Sequence, residues 1–347
     1  MSVNQLLLLT DYKGAFYSST RNVESLCTMN VSVLVQYFES LGYVVETTSY
    51  AKIDMSRDYR KTVVLYTSSE DYGLYYRSYI EDVVLALKEK GARLIPDYPY
   101  FRAHHNKVFM EMLRDILLPD HDRLLIGTFG AYEEMLQAKI PEGKYVLKKA
   151  AGAGSSGVLK SENNAELRKC ARKLSRNPSI VALLKEWKHR VLYGKKYYRT
   201  SRHCQKFVVQ RYVEELSGDF KVLKYGSRFY TVYRENRKND FRASGSGRLT
   251  FEFPAGVCCD SLLDFARGIS DNIHTPLLSM DIAFDGDRFY LIEFQCMHFG
   301  PYAAECSDHY YEYENEEWVQ HDEPCDLERV FCDAIHSFIA GSEFKIC

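Results

Sequence analysis

No apolar run in this sequence approaches the roughly 20 residues needed to cross a bilayer as a helix. The 347 residues also lack an excess of either charge, with 45 Lys and Arg against 47 Asp and Glu. That balance gives no electrostatic reason to expect nucleic acid or an anionic membrane as a partner. Paired cysteine spacings are missing too: ten cysteines occur, none in a CxxC arrangement. They read as reduced thiols of a cytoplasmic protein, not as disulfides or a zinc site. The apolar run Leu6–Leu9 has no basic region before it and stops by Asp11. It is too short for the core of a signal peptide and reads as a first buried strand. Internal repeats and low-complexity segments are absent.

What remains is an ordinary globular composition, 46% hydrophobic and 27% charged. The length suits two or three packed subdomains. Over residues 1–103, strands at Leu6–Leu9, Val63–Tyr66 and Arg93–Pro96 alternate with helices at Val23–Leu41 and Tyr79–Lys90, which predicts an α/β unit with parallel pairing. Residues 104–212 predict an amphipathic helix at Asn106–Leu118, strands at Leu124–Ile126, Tyr145–Lys148 and Phe207–Gln210, and helices near 132–139, 165–175 and 181–198. Residues 213–347 are richer in strands, at 220–223, 229–234, 249–253, 280–284 and 289–294, with helices near 261–272 and 326–340.

Two segments carry chemistry. The first is the glycine-rich run from Lys148 to Val158. Glycines let free backbone N–H groups approach a phosphate closely. The run is mid-chain and does not open a helix directly, unlike a Rossmann fingerprint. It lacks the Gly-Lys-Ser/Thr ending of a P-loop, and the kinase lysine and HRD motif are not in place. The ligand-free alternative is a mobile glycine loop. The second segment pairs Ser279–Phe284 with Phe289–Gln295 around Asp285-Gly286-Asp287, a good hairpin turn. Glu293 and Gln295 share a face because side chains alternate, and the hairpin can bring Asp281 beside them. Such hard oxygen donors suit Mg²⁺ on nucleotide phosphates. Equally, the acids could pair with Arg or Lys on a neighbouring strand.

The lysine, the glycine loop and the carboxylate hairpin, in this order, resemble the ATP-grasp superfamily, over roughly His104 to Gly300. The resemblance implies an α/β (α+β) ATP-grasp fold, with an N-terminal α/β domain (1–103), a central lid domain (104–212) and a C-terminal strand-rich domain (213–347). It implies that Lys107 and Lys148 hold ATP phosphates, that Gly154, Ser155, Ser156 and Gly157 cover them, and that Gln210, Tyr212 and Val213 form the adenine hinge. Asp219 and Lys221 open the C-terminal half of the nucleotide site. Asp281, Glu293 and Gln295 fall on the magnesium ligands, for two Mg²⁺ ions with Mn²⁺ as a substitute. Arg234 and Arg242, with the segment Asp240–Gly247, resemble the substrate region of the branch containing ribosomal-protein glutamate ligases and glutathione synthetases.

The chain departs from that pattern in several places. Gln295 stands where Asn is usual, Lys149 where Pro is frequent, Gln210 where Glu is common and Ser244 where Asn is more usual, which marks a divergent branch. The implied activity is ATP-dependent joining of a carboxylate to an amine through an acyl phosphate. A small-molecule kinase, or a nucleotide-binding protein without turnover, are the alternatives. The substrate is expected to be a small molecule, an amino acid or a peptide, and a homodimer is left open.

Weaker features remain. The basic stretch Lys185–Lys206 reads as a solvated face of the lid, with a site for an acidic peptide or polymer as the alternative. The acidic, aromatic stretch Tyr310–Trp318 reads as a surface loop, with a substrate wall or subunit contact as the alternatives. Cys296 and His298, which follow the metal strand, read as a buried thiol and a hydrogen-bonded core histidine, with substrate contact as the alternative.

Overall fold

A computed structural model describes residues 4–17, 29–69, 71–152, 157–176 and 179–341. The chain divides into two compact units. One comprises residues 1–104, 116–119 and 215–347; the other comprises 105–115 and 120–214.

The first unit begins with β1 (Asn4–Thr10), α1 (Val31–Ser40), β2 (Tyr43–Ser49), β3 (Thr62–Leu65), α2 (Tyr75–Glu89), β4 (Arg93–Ile95) and α3 (Tyr98–Ala103). Its strands are parallel, as the alternation predicts, in the order β2-β1-β3-β4. β1 is buried on both sides, which is why it reads as a continuous leucine run. Leu6 and Leu8 enter one core and Leu7 and Leu9 another. α1 starts at Val31, later than its sequence pattern suggests. The Asn30 side chain accepts from the N–H groups of Ser32 and Val33 and fixes the start there. The part of that predicted helix before residue 29 lies outside the described residues.

The second unit contains α4 (Lys107–Leu117), whose last two residues fall in the first unit, then β5 (Leu125–Phe129), α5 (Tyr132–Gln137), β6 (Tyr145–Lys149), β7 (Val158–Ser161), α6 (Asn164–Leu174), α7 (Ile180–Tyr193) and β8 (Phe207–Arg211). Its sheet is antiparallel, ordered β5-β8-β6-β7. The glycine run therefore joins two strands of a hairpin, β6 and β7, with a strand immediately after it. Leu147, Phe207 and Val209 pack with Leu167, Ala171 and Leu174 of α6 in a small core.

The first unit resumes with β9 (Gly218–Tyr225), β10 (Arg228–Glu235), β11 (Leu249–Thr250), α8 (Cys259–Asn272), β12 (Leu277–Phe284), β13 (Phe289–Gln295), α9 (Tyr302–Glu305), β14 (Tyr310–Glu314), β15 (Glu317–His321) and α10 (Leu327–Gly341). β11 is two residues long, against the five predicted. The sheet runs β13-β12-β9-β10-β14-β15, with β11 against β10. Tyr225, Tyr230, Val232 and Leu277 share one core with Leu6, Leu8, Phe38 and Val63 and with Phe331 and Ile335 of α10. N-terminal and C-terminal segments thus bury their apolar faces together. The segment 310–318 is a β-hairpin with a partner strand, not the surface loop that its charge suggested.

Candidate functional site

In the first unit the sheet register assembles a polar face. Asp281 on β12 pairs with Glu293 on β13 and, on its other side, with Lys221 on β9. Ser279 pairs with Gln295, and Asp219 with Arg234 on β10. Alternation places residues two apart on one face, so Asp219, Lys221, Ser279, Asp281, Glu293 and Gln295 all belong to it. The register slips by one residue between Asp281 and Ile282, a bulge beside the carboxylates. Gly218 lets β9 lie close enough for this register: a Cβ there would overlap the Arg234 carbonyl oxygen and the Tyr233 ring.

The side chains are tied together. Arg234 donates from Nε to Asp219 Oδ1 at 2.6 Å, and its Nη2 lies 2.9 Å from Asp281 Oδ2. Lys221 Nζ reaches Ser279 Oγ at 2.9 Å and Asp281 Oδ1 at 3.5 Å. Asp219 and Arg234 are buried. Burial raises the Asp281 pKa, but the Arg234 guanidinium and then Lys221 outweigh it and hold the carboxyl well below the usual range. Burial pushes Asp219 the other way, upward, against the pull of Arg234. On this face Arg234 is ion-paired with both Asp219 and Asp281, and Lys221 with Asp281. Pairing of the acids with Arg and Lys, weighed against metal binding from sequence, is what this structure contains. A carboxylate kept ionised at every physiological pH is equally what a hard cation requires.

Arg242 lies apart from this network, in the segment after β10. It grips Asp240 through Nε at 2.8 Å and Nη2 at 2.5 Å. Arg237 braces the same segment by donating to the Ser244 carbonyl, from Nε at 3.1 Å and Nη2 at 2.5 Å.

In the second unit, Lys148 is buried on β6, between Val158 of β7 and Val208 of β8. Lys107 opens α4, and its N–H donates to the Ala150 carbonyl at 2.8 Å. That bond brings the start of α4 to the end of β6, two residues beyond Lys148. Asn106 Oδ1 accepts from the Phe109 N–H at 3.3 Å and caps the turn. Gly157 closes the hairpin through its carbonyl to the Lys149 N–H at 3.0 Å, with φ at 77°. The conformation favours glycine. Gly154, Ser155 and Ser156 lie outside the described residues.

The Gln210 side chain turns into the core. Its Nε2 donates to Glu111 Oε1 at 2.7 Å, and Glu111 Oε2 accepts from Arg114 Nη1 at 3.2 Å. All three are buried. Sequence reasoning missed Glu111 and Arg114. Their signal was a charged pair at i, i+3 on the apolar side of α4, beside Met110 and Leu113. Tyr212, whose N–H donates to the Lys144 carbonyl at 3.0 Å, lies beneath Lys160 Nζ, 3.9 Å from the ring centre. Val213 beside it is half-buried. His298 is a buried core histidine bonded to Thr67 Oγ1 at 2.7 Å, and Cys296 is a buried thiol pushed well above its usual range.

The chain superposes on D-cycloserine synthetase DcsG with a TM-score of 0.56 and 12% identity, covering 96% of this chain and 99% of that one. It superposes on D-alanyl-alanine synthetase A from Vibrio cholerae O1 biovar eltor str. N16961 with a TM-score of 0.52 and 12% identity, covering 99% and 100%. No protein-family model matches the sequence, and no curated protein does. At this identity the likeness is one of fold, a mixed helix and strand architecture shared with both synthetases. Among the described residues, no helix is long and apolar enough to cross a membrane.

Proposed function

We propose that the chain is an ATP-dependent carboxylate–amine ligase. The observation that carries this reading is the face holding Asp281 opposite Glu293, with Lys221 and Arg234 beside them. Two proteins of the same fold are named synthetases, of D-cycloserine and of D-alanyl-alanine, which supports ligation over simple nucleotide binding.

In this reading Asp281, Glu293 and Gln295 hold two Mg²⁺ ions, with Mn²⁺ as a substitute. Their oxygens suit a hard cation, and the two carboxylates face each other across the strands. Bound Mg²⁺ would offset negative charge on the ATP phosphates. Lys107 and Lys148 neutralise the α and β phosphates, and backbone N–H groups of 154–157 cover the β and γ phosphates. Gln210, Tyr212 and Val213 line the adenine side; the Gln210 side chain is committed to Glu111, so its backbone serves the ligand. Asp219 and Lys221 hold Arg234 and Asp281 in place. Arg234, within reach of the metal carboxylate, holds oxygens of the transferred phosphoryl group. Arg242 holds the substrate carboxylate, because a guanidinium fork matches it. That carboxylate takes the γ-phosphoryl group from ATP and releases ADP. An amine then displaces phosphate and leaves an amide. The substrates proposed are small molecules, amino acids or peptides.

The test is Mg²⁺-dependent release of ADP and phosphate over pooled amino acids, short peptides and polyamines, with mass spectrometry of the products. A ligase gives free phosphate and a product weighing two pool members less one water. A product carrying phosphate, with no free phosphate, would make the chain a kinase instead. Glu293→Ala is expected to lower turnover by at least about 100-fold with the fold intact. Full turnover in that variant would sink the metal assignment.

A further inference from the structure

Helix α7 is inside out. The residue it buries is Glu186, whose carboxylate accepts from Arg199 Nε at 2.8 Å and Arg202 Nε at 2.9 Å. Its apolar residues face solvent: Ile180, Leu184, Trp187 and Val191 are 64–71% exposed. Their spacing of four, three and four residues aligns them in one stripe. Ordinary surface helices do the reverse, and an exposed contiguous apolar stripe marks a contact site.

A concave pocket of about 1050 Å³ adjoins the stripe, since Leu183 of α7 lines it. Six cations line it as well: Lys169, Arg172, Lys173 and Arg176 from α6 and its end, with Arg199 and Arg202. The carboxylate in the lining is Glu133, which already accepts from Ser201 Oγ at 2.7 Å. Lys107, Lys148 and Gln210 do not line this pocket, so it is separate from the proposed nucleotide residues. The charge is regional. Residues 120–214 carry 20 Lys and Arg against nine Asp and Glu, in a chain whose net charge is −2.

We propose that α7 and the adjoining pocket dock an acidic, amphipathic polypeptide segment. Its apolar residues would lie along Ile180, Leu184, Trp187 and Val191, and its carboxylates would enter the pocket lined by α6. Helix-in-groove binding uses this combination of apolar anchors and flanking charge. A concave pocket suits carboxylates presented one by one better than it suits a flat lipid surface. Nucleic acid would leave the apolar stripe without a partner. The proposal is independent of the ligase reading, because it concerns binding without turnover.

Trp187 provides the readout. The chain has two tryptophans, so Trp318→Phe leaves Trp187 as the reporter. The probe is a synthetic peptide of about 20 residues, with Leu at three- and four-residue spacing and Glu elsewhere. It is titrated into the full chain and followed by Trp187 emission and by anisotropy of a labelled peptide. Binding with a blue shift is expected. It should weaken at least tenfold in Leu184→Ser/Val191→Ser, and as much in Arg172→Glu/Lys173→Glu. All four positions are exposed, so the variants are expected to fold. Raising salt should weaken the complex as well. Four results would overturn the proposal. One is absence of binding. Another is equal binding by the Leu184→Ser/Val191→Ser variant. The third is a blue shift with phosphatidylserine vesicles but not with the peptide. The fourth is a dimer that Leu184→Ser dissolves, which would assign the stripe to a second copy of the chain.

Discussion

Each unit of the molecule buries a charged cluster, and the two clusters are built differently. In the second unit Glu111 is fully buried; one oxygen accepts from Gln210 and the other from Arg114. One negative charge meets one positive charge, and both carboxylate oxygens are served. In the first unit Asp219, Asp281 and Glu293 share a sheet face with Arg234 and Lys221; Arg234 reaches Asp219 and Asp281, and Lys221 reaches Asp281. In the second unit the charged groups are wholly buried, whereas in the first the Asp281 side chain is 20% exposed. A carboxylate that reaches solvent from a shared face can meet a ligand, and its oxygens suit a hard cation. The difference sets a cluster enclosed in the core apart from one whose carboxylate reaches solvent.

The comparison breaks most visibly at Asp281. Asp281→Asn is expected to reduce Mg-ATP turnover at least about 100-fold and to cost about 3 kcal/mol of stability, because Arg234 stays buried with one carboxylate instead of two. The pH dependence has a definite sign. The folded-state pKa of Asp281 is depressed, so its stabilisation is present above its unfolded value and is lost as pH falls toward the folded one. Denaturation below about pH 4 should therefore be less steep in Asp281→Asn than in the wild type. An identical acid limb in both would remove the charge pairing from the account.

The balanced cluster should respond otherwise. Glu111→Ala removes the buried carboxylate to which Arg114 and Gln210 donate and is expected to cost about 3–5 kcal/mol. Replacing the pair together, as Glu111→Leu with Arg114→Met, should recover most of that loss, since apolar groups of similar volume often substitute for a buried ion pair. Equilibrium urea denaturation reads both. No recovery in the double variant would mean that the pair positions Gln210 as well as filling space.

The carboxylate hairpin was legible in the sequence because two local signals agree, alternation on both strands and an Asp-Gly turn, and the structure places Gly286 at a φ of 100°. The parallel N-terminal sheet was legible for the same reason, from repeated strand and helix periods. The hairpin at 310–321 was not. Its turn residues Asn315 and Glu316 both take positive φ without a glycine, and its strands lie at the sheet edge, where charge is tolerated. Nor could the sequence choose between metal and ion pair for Asp281. Its guanidinium partner comes from β10, two strands away in the sheet, and such contacts leave no local pattern. α7 was legible as a helix but not as an inverted one, because periodicity finds the apolar face without saying which way it points.

Glu305 sharpens the comparison with the smallest expected effect. It is a carboxylate of the first unit with a buried oxygen, Oε2, that accepts no hydrogen bond from the described residues. Burial, with the charge of Glu328 adding, pushes its pKa up to about 7. Asp281, flanked by Arg234 and Lys221, moves down. The sign for Glu305 is therefore opposite: stability is fully present below the unfolded value, and is lost as pH rises through about 7. Solvent still reaches part of the side chain, so the loss is about 1 kcal/mol rather than the full shift. Glu305→Gln keeps the shape and removes the titration. Its Tm should exceed that of the wild type by about 2–4 °C at pH 8 and match it at pH 5. A wild-type Tm at pH 8 equal to that of the variant would mean that Glu305 ionises in the fold at no cost, and that burial without a cation partner is not what sets it apart from Asp281.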